Sequence, residues 1–117
     1  MNKQKSPDDS HKARDLFGLL TICRKAGQLA MGFDPMKEAL DGGKAHAVFI
    51  ASDISPKTEK EVRFFSEKHG VPVRKTEMTI DGISRALGKK AGILTVCGEG
   101  FAKKAISLCG NDGDHDN

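Results

Sequence analysis

Two uninterrupted apolar runs constrain the fold of this 117-residue chain more than any other feature: AHAVFIA at 45–51 and GILTVC at 92–97. A strand with one wet face shows an apolar residue at every second position. A run that is apolar throughout belongs to a strand covered on both faces. The covering material is visible around the runs. Leu16, Leu19, Leu20, Cys23 and Ala26 recur at steps of three and four residues, predicting a helix over 11–26 with Ser10 as its cap and Gly27 as its end. QLAM at 28–31 is a short strand. Asp34 suits an N-cap and Pro35 a first helical position, with Met36, Ala39 and Leu40 on one face and Gly42-Gly43 as the stop. After a turn at 52–56, a charged helix over 57–69 points Val62 and Phe65 inward, with Phe64 ambiguous, and Gly70 ends it. VPVRK at 71–75 is a strand, Thr79 opens a helix that Gly88 closes after Leu87, and a last helix over 100–109 presents Phe101, Ala105 and Ile106.

The resulting order, α-β-α-β-α-β-α-β-α, predicts an α/β fold with a four-stranded sheet between helical layers. Alternation alone favours parallel strands joined by right-handed crossovers. Residues 1–10 and 111–117 are polar and aperiodic, which predicts a disordered N-terminal tail and a disordered acidic C-terminal tail around a single domain at 11–110. A domain of that size buries roughly 65% of its unfolded surface and needs no staples.

Charge is unevenly placed. The net charge is +3, but residues 11–110 hold 17 Lys and Arg against 11 Asp and Glu. A basic body suits a polyanionic partner and equally suits simple solubility. The three cysteines, Cys23, Cys97 and Cys109, include no Cys-x-x-Cys pair, so neither a disulfide framework nor a zinc site is expected. Reduced thiols packed as small hydrophobes fit a cytoplasmic protein. No apolar run approaches the 18 or so residues of a membrane span, and MNKQKSPDDS lacks the apolar stretch of a secretory signal.

Enzyme signatures are absent: no GxGxxG follows a strand and there is no P-loop. His11, His46, His69 and His115 are scattered and share no ligand spacing with one another or with cysteine. CGEG at 97–100 could aim amides at an anion, but Glu99 sits within it, which favours a plain turn. No catalytic residue, cofactor or metal is expected. Basic pairs stand at Arg24-Lys25, Arg74-Lys75, Lys89-Lys90 and Lys103-Lys104. Arg24-Lys25 precedes the first strand and Lys89-Lys90 the last, where they could neutralise phosphates or merely solubilise a loop.

The stretch from Cys23 to Val73, CRKAGQLAMGFDPMKEALDGGKAHAVFIASDISPKTEKEVRFFSEKHGVPV, followed by GISRALGKKAGILTV, resembles the L-seven-Ae/L-thirty-e family of ribosomal, kink-turn RNA-binding proteins. The anchors fall in order: KAG-x-L, a glycine before the second helix, a helix ending in Gly-Gly-Lys, AVFIASD, GVPV, and ALGKKAG before the last strand. The resemblance implies a three-layer α/β/α sandwich with a mixed four-stranded sheet. It further implies RNA held by the start of the second helix and the loop before the last strand. In that pattern Gly32 lets the RNA backbone approach. Asp34 stands where the family has Asn, Pro35 where it has Glu, and Met31 and Glu38 where it has lysines. Lys37 lies one residue before the second of these.

Candidate RNA-binding residues are therefore Gly32, Phe33, Asp34, Lys37, Lys89, Lys90 and Arg24. Asp34 either accepts hydrogen bonds from guanine or only caps a helix. Phe33 either stacks on an unpaired base or packs against its own fold or a partner. The implied function is non-enzymatic binding of a structured, ribosomal RNA by a monomer near the ribosome or transcription and translation factors. The competing reading is a protein-interaction module in which Met31, Phe33 and Met36 form an exposed apolar patch. A third reading, an accessory domain of an RNA-modifying enzyme, lacks any catalytic domain in this chain.

Overall fold

A computed structural model describes the backbone of residues 5–109, with side chains from Asp15 onward. Residues 1–4 of the expected N-terminal tail and the whole expected C-terminal tail, with Gly110 before it, lie outside the described residues. Five helices and four strands alternate: α1 (Lys5–Lys25), β1 (Leu29–Met31), α2 (Phe33–Asp41), β2 (Ala47–Ile50), α3 (Pro56–Lys68), β3 (Val73–Lys75), α4 (Ile80–Leu87), β4 (Ile93–Val96) and α5 (Glu99–Cys109). The first helix begins at Lys5, ahead of the start expected after Ser10. Pro7 falls in its first turn, where a missing N–H costs nothing because that group has no intrahelical partner.

The sheet order is β1-β4-β2-β3. β2 and β3 are parallel, whereas β4 is antiparallel to both of its neighbours. The mixed sheet implied by the family resemblance is thus present, and the all-parallel sheet suggested by alternation is not. The physical reason lies after α4. Register pairs Ile50 with both Lys75 and Ile93, so β4 starts at the end of the sheet where β2 and β3 finish. The chain leaves that end along α4 and must come back, and residues 88–92 make the return. Gly88, at φ 78°, takes the left-handed conformation that ends α4 and turns the chain.

The two apolar runs are the two central strands, and all four residues of each are buried. Their side chains divide between the faces with period two. Ala47 and Phe49 of β2, with Leu94 and Val96 of β4, join Leu16, Leu20 and Cys23 of α1, Ile83 and Leu87 of α4, and Ala102 and Ala105 of α5. Val48, Ile50 and Ile93 face the other way, onto Met36, Ala39 and Leu40 of α2 and Val62 of α3. Three helices therefore cover one face and two the other. Phe49 is fully buried, and burial of a side chain of that size contributes about 2–3 kcal/mol. Among the described residues no helix is long and apolar enough to cross a membrane.

Candidate nucleic-acid interface

Gly32 sits where β1 ends and α2 begins. Its φ is 113°, a conformation open to glycine and strained for other residues. Its N–H donates to the Ile93 carbonyl at 2.9 Å, extending the β1–β4 ladder by one bond. Its own carbonyl accepts the Met36 N–H at 3.2 Å, the first helical bond of α2. Gly32 is therefore the N-cap, and the cap expected at Asp34 is displaced by two residues. The sharp turn at Gly32 lets the helix start at Phe33. Pro35 then falls third in the helix, still within the turn whose N–H groups lack partners. No side chain caps α2. Asp34 is exposed in the first turn and makes no cap bond, its charge favoured there by the helix dipole.

Phe33 and Lys37 turn toward α3. The Phe33 ring meets Phe65 edge-on with centroids 6.0 Å apart, and the Lys37 ammonium stands 4.5 Å from the Phe65 centroid. Phe65 itself packs edge-on against Phe64 at 5.2 Å. Phe33 is thus half-buried in its own fold. Met31 and Met36 are 6% and 0% exposed, so the apolar patch expected of Met31, Phe33 and Met36 does not exist as a surface. Among the described residues the large exposed aromatic is Phe64, at 61%. Its position on the outer side of α3 follows from Val62 and Phe65 pointing inward, a helical spacing that leaves residue 64 outside.

The basic residues gather at the return segment. A Cβ placed on Gly88 would stand 3.6 Å from Arg24 Nη1, so the guanidinium at the end of α1 lies beside the start of the 88–92 segment. Lys89 and Lys90 follow directly, both exposed. Chain geometry keeps the Cα of Lys90 within about 11 Å of that of Ile93, whose carbonyl holds Gly32. Arg24, Lys89 and Lys90 have no carboxylate within salt-bridge distance among the described residues. Arg63, Arg85 and Lys103, by contrast, each pair with an acid four residues away on their own helix. Cations without described counterions thus line the segment that leads to Ile93, whose carbonyl holds the uncapped start of α2.

Other chemistry is thin. The described residues contain no group of three or more His, Cys, Asp or Glu that could hold a metal. Burial, then the neighbouring Cys97, pushes the Cys23 thiol up to about 11, and burial also raises Cys97. Neither is a thiolate at neutral pH. The CGEG turn starts α5, with the Ala102 N–H on the Gly98 carbonyl at 2.9 Å and Glu99 reaching Lys103.

Comparison with known proteins gives the geometry its context. The family model described as "Ribosomal protein L7Ae/L30e/S12e/Gadd45 family" matches residues 14–106. The RNA-binding protein YlxQ of Bacillus subtilis is 31% identical over 93 residues, covering 79% of this chain and 92% of that protein. The large ribosomal subunit protein eL30 of Aeropyrum pernix is 27% identical over 81 residues, 68% of this chain and 81% of that one. Among solved structures, a Bacillus halodurans protein of unknown function superposes with a TM-score of 0.75 at 25% identity, covering 80% of this chain and 95% of that one. The Giardia lamblia 15.5 kD RNA-binding protein shares the fold, with a TM-score of 0.70 at 17% identity over 87% and 88% of the two chains. YlxQ and eL30 are named for binding RNA and for a place in the ribosome, not for catalysis, and with the family model spanning most of the folded residues the chain belongs to the L7Ae/L30e/S12e/Gadd45 ribosomal-protein family.

Proposed function

We propose that this protein is a non-enzymatic, cytoplasmic RNA-binding protein that acts as a monomer on structured ribosomal RNA. The observation that carries the reading is the meeting, around Ile93, of an uncapped helix start at Gly32 and a basic return segment. The roles divide by chemistry. Gly32 has no side chain to hold a sugar–phosphate backbone away. The first N–H groups of α2 point out of the helix and can donate to phosphate or base oxygens. Lys89, Lys90 and Arg24 supply charge without a competing carboxylate among the described residues. Asp34, exposed at the helix start, can accept from guanine amino or imino groups. It also repels phosphate, so it favours a base edge over a backbone. Lys37 is drawn onto the Phe65 ring and Phe33 meets the same ring edge-on, so both shape the wall of the site. The relatives named as RNA-binding and ribosomal proteins support the reading.

The family's kink-turn is the first RNA shape to test. Fluorescence anisotropy with a kink-turn RNA, a matched plain duplex and purified ribosomes measures it. Three phosphate contacts imply an affinity loss of roughly 20- to 40-fold on a fourfold rise in salt. Preference for the kink-turn over the duplex is the expected outcome. Absence of binding to all three at low salt sinks the proposal. The protein-interaction reading loses its patch because Met31 and Met36 are buried.

A further inference from the structure

We infer that the groove along the start of α3 is a second phosphate-binding surface, which holds the backbone of the RNA arm leaving the interface proposed above. This inference rests on that RNA-binding reading and extends it to residues outside the Gly32 and 88–92 segments.

The groove has a volume of about 510 Å³ and is lined by Pro56, Lys57, Glu59, Lys60 and Arg63. Its single carboxylate is already committed. Glu59 Oε2 takes Arg63 Nε at 3.0 Å, and Oε1 takes Lys75 Nζ at 3.2 Å. Burial pushes the Glu59 carboxyl up, but the hydrogen bonds and charges of Arg63 and Lys75 outweigh it and hold the group below its ordinary value. Lys57 and Lys60 have no carboxylate partner among the described residues. Four cations thus surround one ionised acid, and two of them have no counterion there. Attraction here belongs to the side chains and not to the helix start, because the Ser55 hydroxyl already accepts the Thr58 N–H at 3.1 Å.

Placement argues for RNA over a small anion. Lys57, Lys60 and Arg63 step along α3 at three-residue intervals, a rise of about 9 Å from first to last. That row suits successive phosphates of a strand. The loop that leads into α3 runs beside the first interface. The loop from β2 to α3 leaves the sheet end where Gly32 and Ile93 meet, since Ile50 pairs with Ile93. Within that loop, Ile54 Cδ1 lies 3.7 Å from where a Cβ on Gly92 would stand.

The test uses the full chain and two kink-turn RNAs, one with both arms short and one with an arm lengthened by a helical turn. Lys57→Gln with Lys60→Gln is compared with Lys89→Gln with Lys90→Gln, by anisotropy over a salt series. On the long-armed RNA the Lys57/Lys60 variant is expected to flatten the log–log salt slope by about 1.5, at roughly 0.7–0.9 per contact. The short-armed RNA shows no change, and Lys57→Arg with Lys60→Arg restores binding. An unchanged slope on both RNAs, with the Lys89/Lys90 variant still weakened, overturns the groove and leaves the interface standing. If only the Lys57/Lys60 variant weakens binding, and does so on both RNAs, the interface reading falls and so does the groove as its extension. Failure of the unsubstituted chain to bind either RNA overturns both. Loss of binding to polyglutamate with RNA binding intact overturns the groove in favour of an acidic protein partner.

Discussion

Gly32 and Gly18 make opposite predictions from the same substitution. At Gly32 an added Cβ meets only Pro35, whose Cδ lies 3.5 Å away, an ordinary contact. The penalty for Gly32→Ala is therefore conformational, set by φ 113°, and is expected to be about 1–3 kcal/mol. Gly18 lies inside α1 with nothing within 4 Å of where a Cβ would stand. Gly18→Ala is expected to stabilise by about 0.5–1 kcal/mol through the entropy of the unfolded chain and helix propensity. Urea unfolding of both variants checks the pair, and equal signs would refute the account. Asp34 tests the site instead of the fold. Asp34→Asn removes a charge the helix dipole favours, at about 0.3–1 kcal/mol of stability. It also removes a repulsion toward phosphate, so RNA affinity is expected to rise while the unfolding midpoint falls. The family resemblance puts a glycine before the second helix, and Gly32 stands there. The sequence does not show that the glycine itself begins the helix, because Asp-Pro satisfies the same start signal two residues later. Nor does it decide Phe33, since what the ring touches, Phe65, is 32 residues away in the chain.

At the level of elements, local signals are sound where nothing distant competes. Thr79 caps α4 by accepting the Gly82 N–H at 2.9 Å, and Gly88 closes it, both as the residues suggest. The reversal of β4 is not legible, because alternation orders the elements without giving their direction. Its cause is the five-residue return after an eight-residue helix, a geometric fact of the whole β3–α4–β4 connection. The same return exposes Lys89 and Lys90, so the topology that escapes the pattern is what presents the residues of the proposed site. α3 offers an element-scale check. Ser55 reads in the sequence as part of a turn, but it caps this helix. Ser55→Ala is expected to cost about 1 kcal/mol, measured as a lower unfolding midpoint with an unchanged denaturant slope. A larger loss with a changed slope would mean that α3 holds more of the fold than its first turn.

Among the described residues the fold buries one thiol, Cys23, and no charged side chain, and this combination bears on how stability responds to pH. Cys23 lies fully buried between α1 and the sheet, its Sγ donating to the Gln28 carbonyl at 3.2 Å. Burial raises it from an ordinary 9.0 to about 11. Below pH 9 the thiol is protonated in both the folded and unfolded chains, and it adds no pH dependence. Between pH 9 and 11 the unfolded chain releases its proton while the folded chain keeps it. The unfolded state is therefore favoured as pH rises, by about 1.4 kcal/mol per pH unit over that window. The comparison must isolate the thiol. Denaturant unfolding at about pH 8 and about pH 10.5, for the native chain and for Cys23→Ala, does so. The native chain is expected to lose about 2 kcal/mol more than the variant between the two conditions. The packing defect of Cys23→Ala does not depend on pH and cancels in the difference. Parallel losses would show that the buried thiol titrates as freely in the folded protein as in the unfolded chain, and that the α1 layer opens to solvent before the rest of the fold gives way.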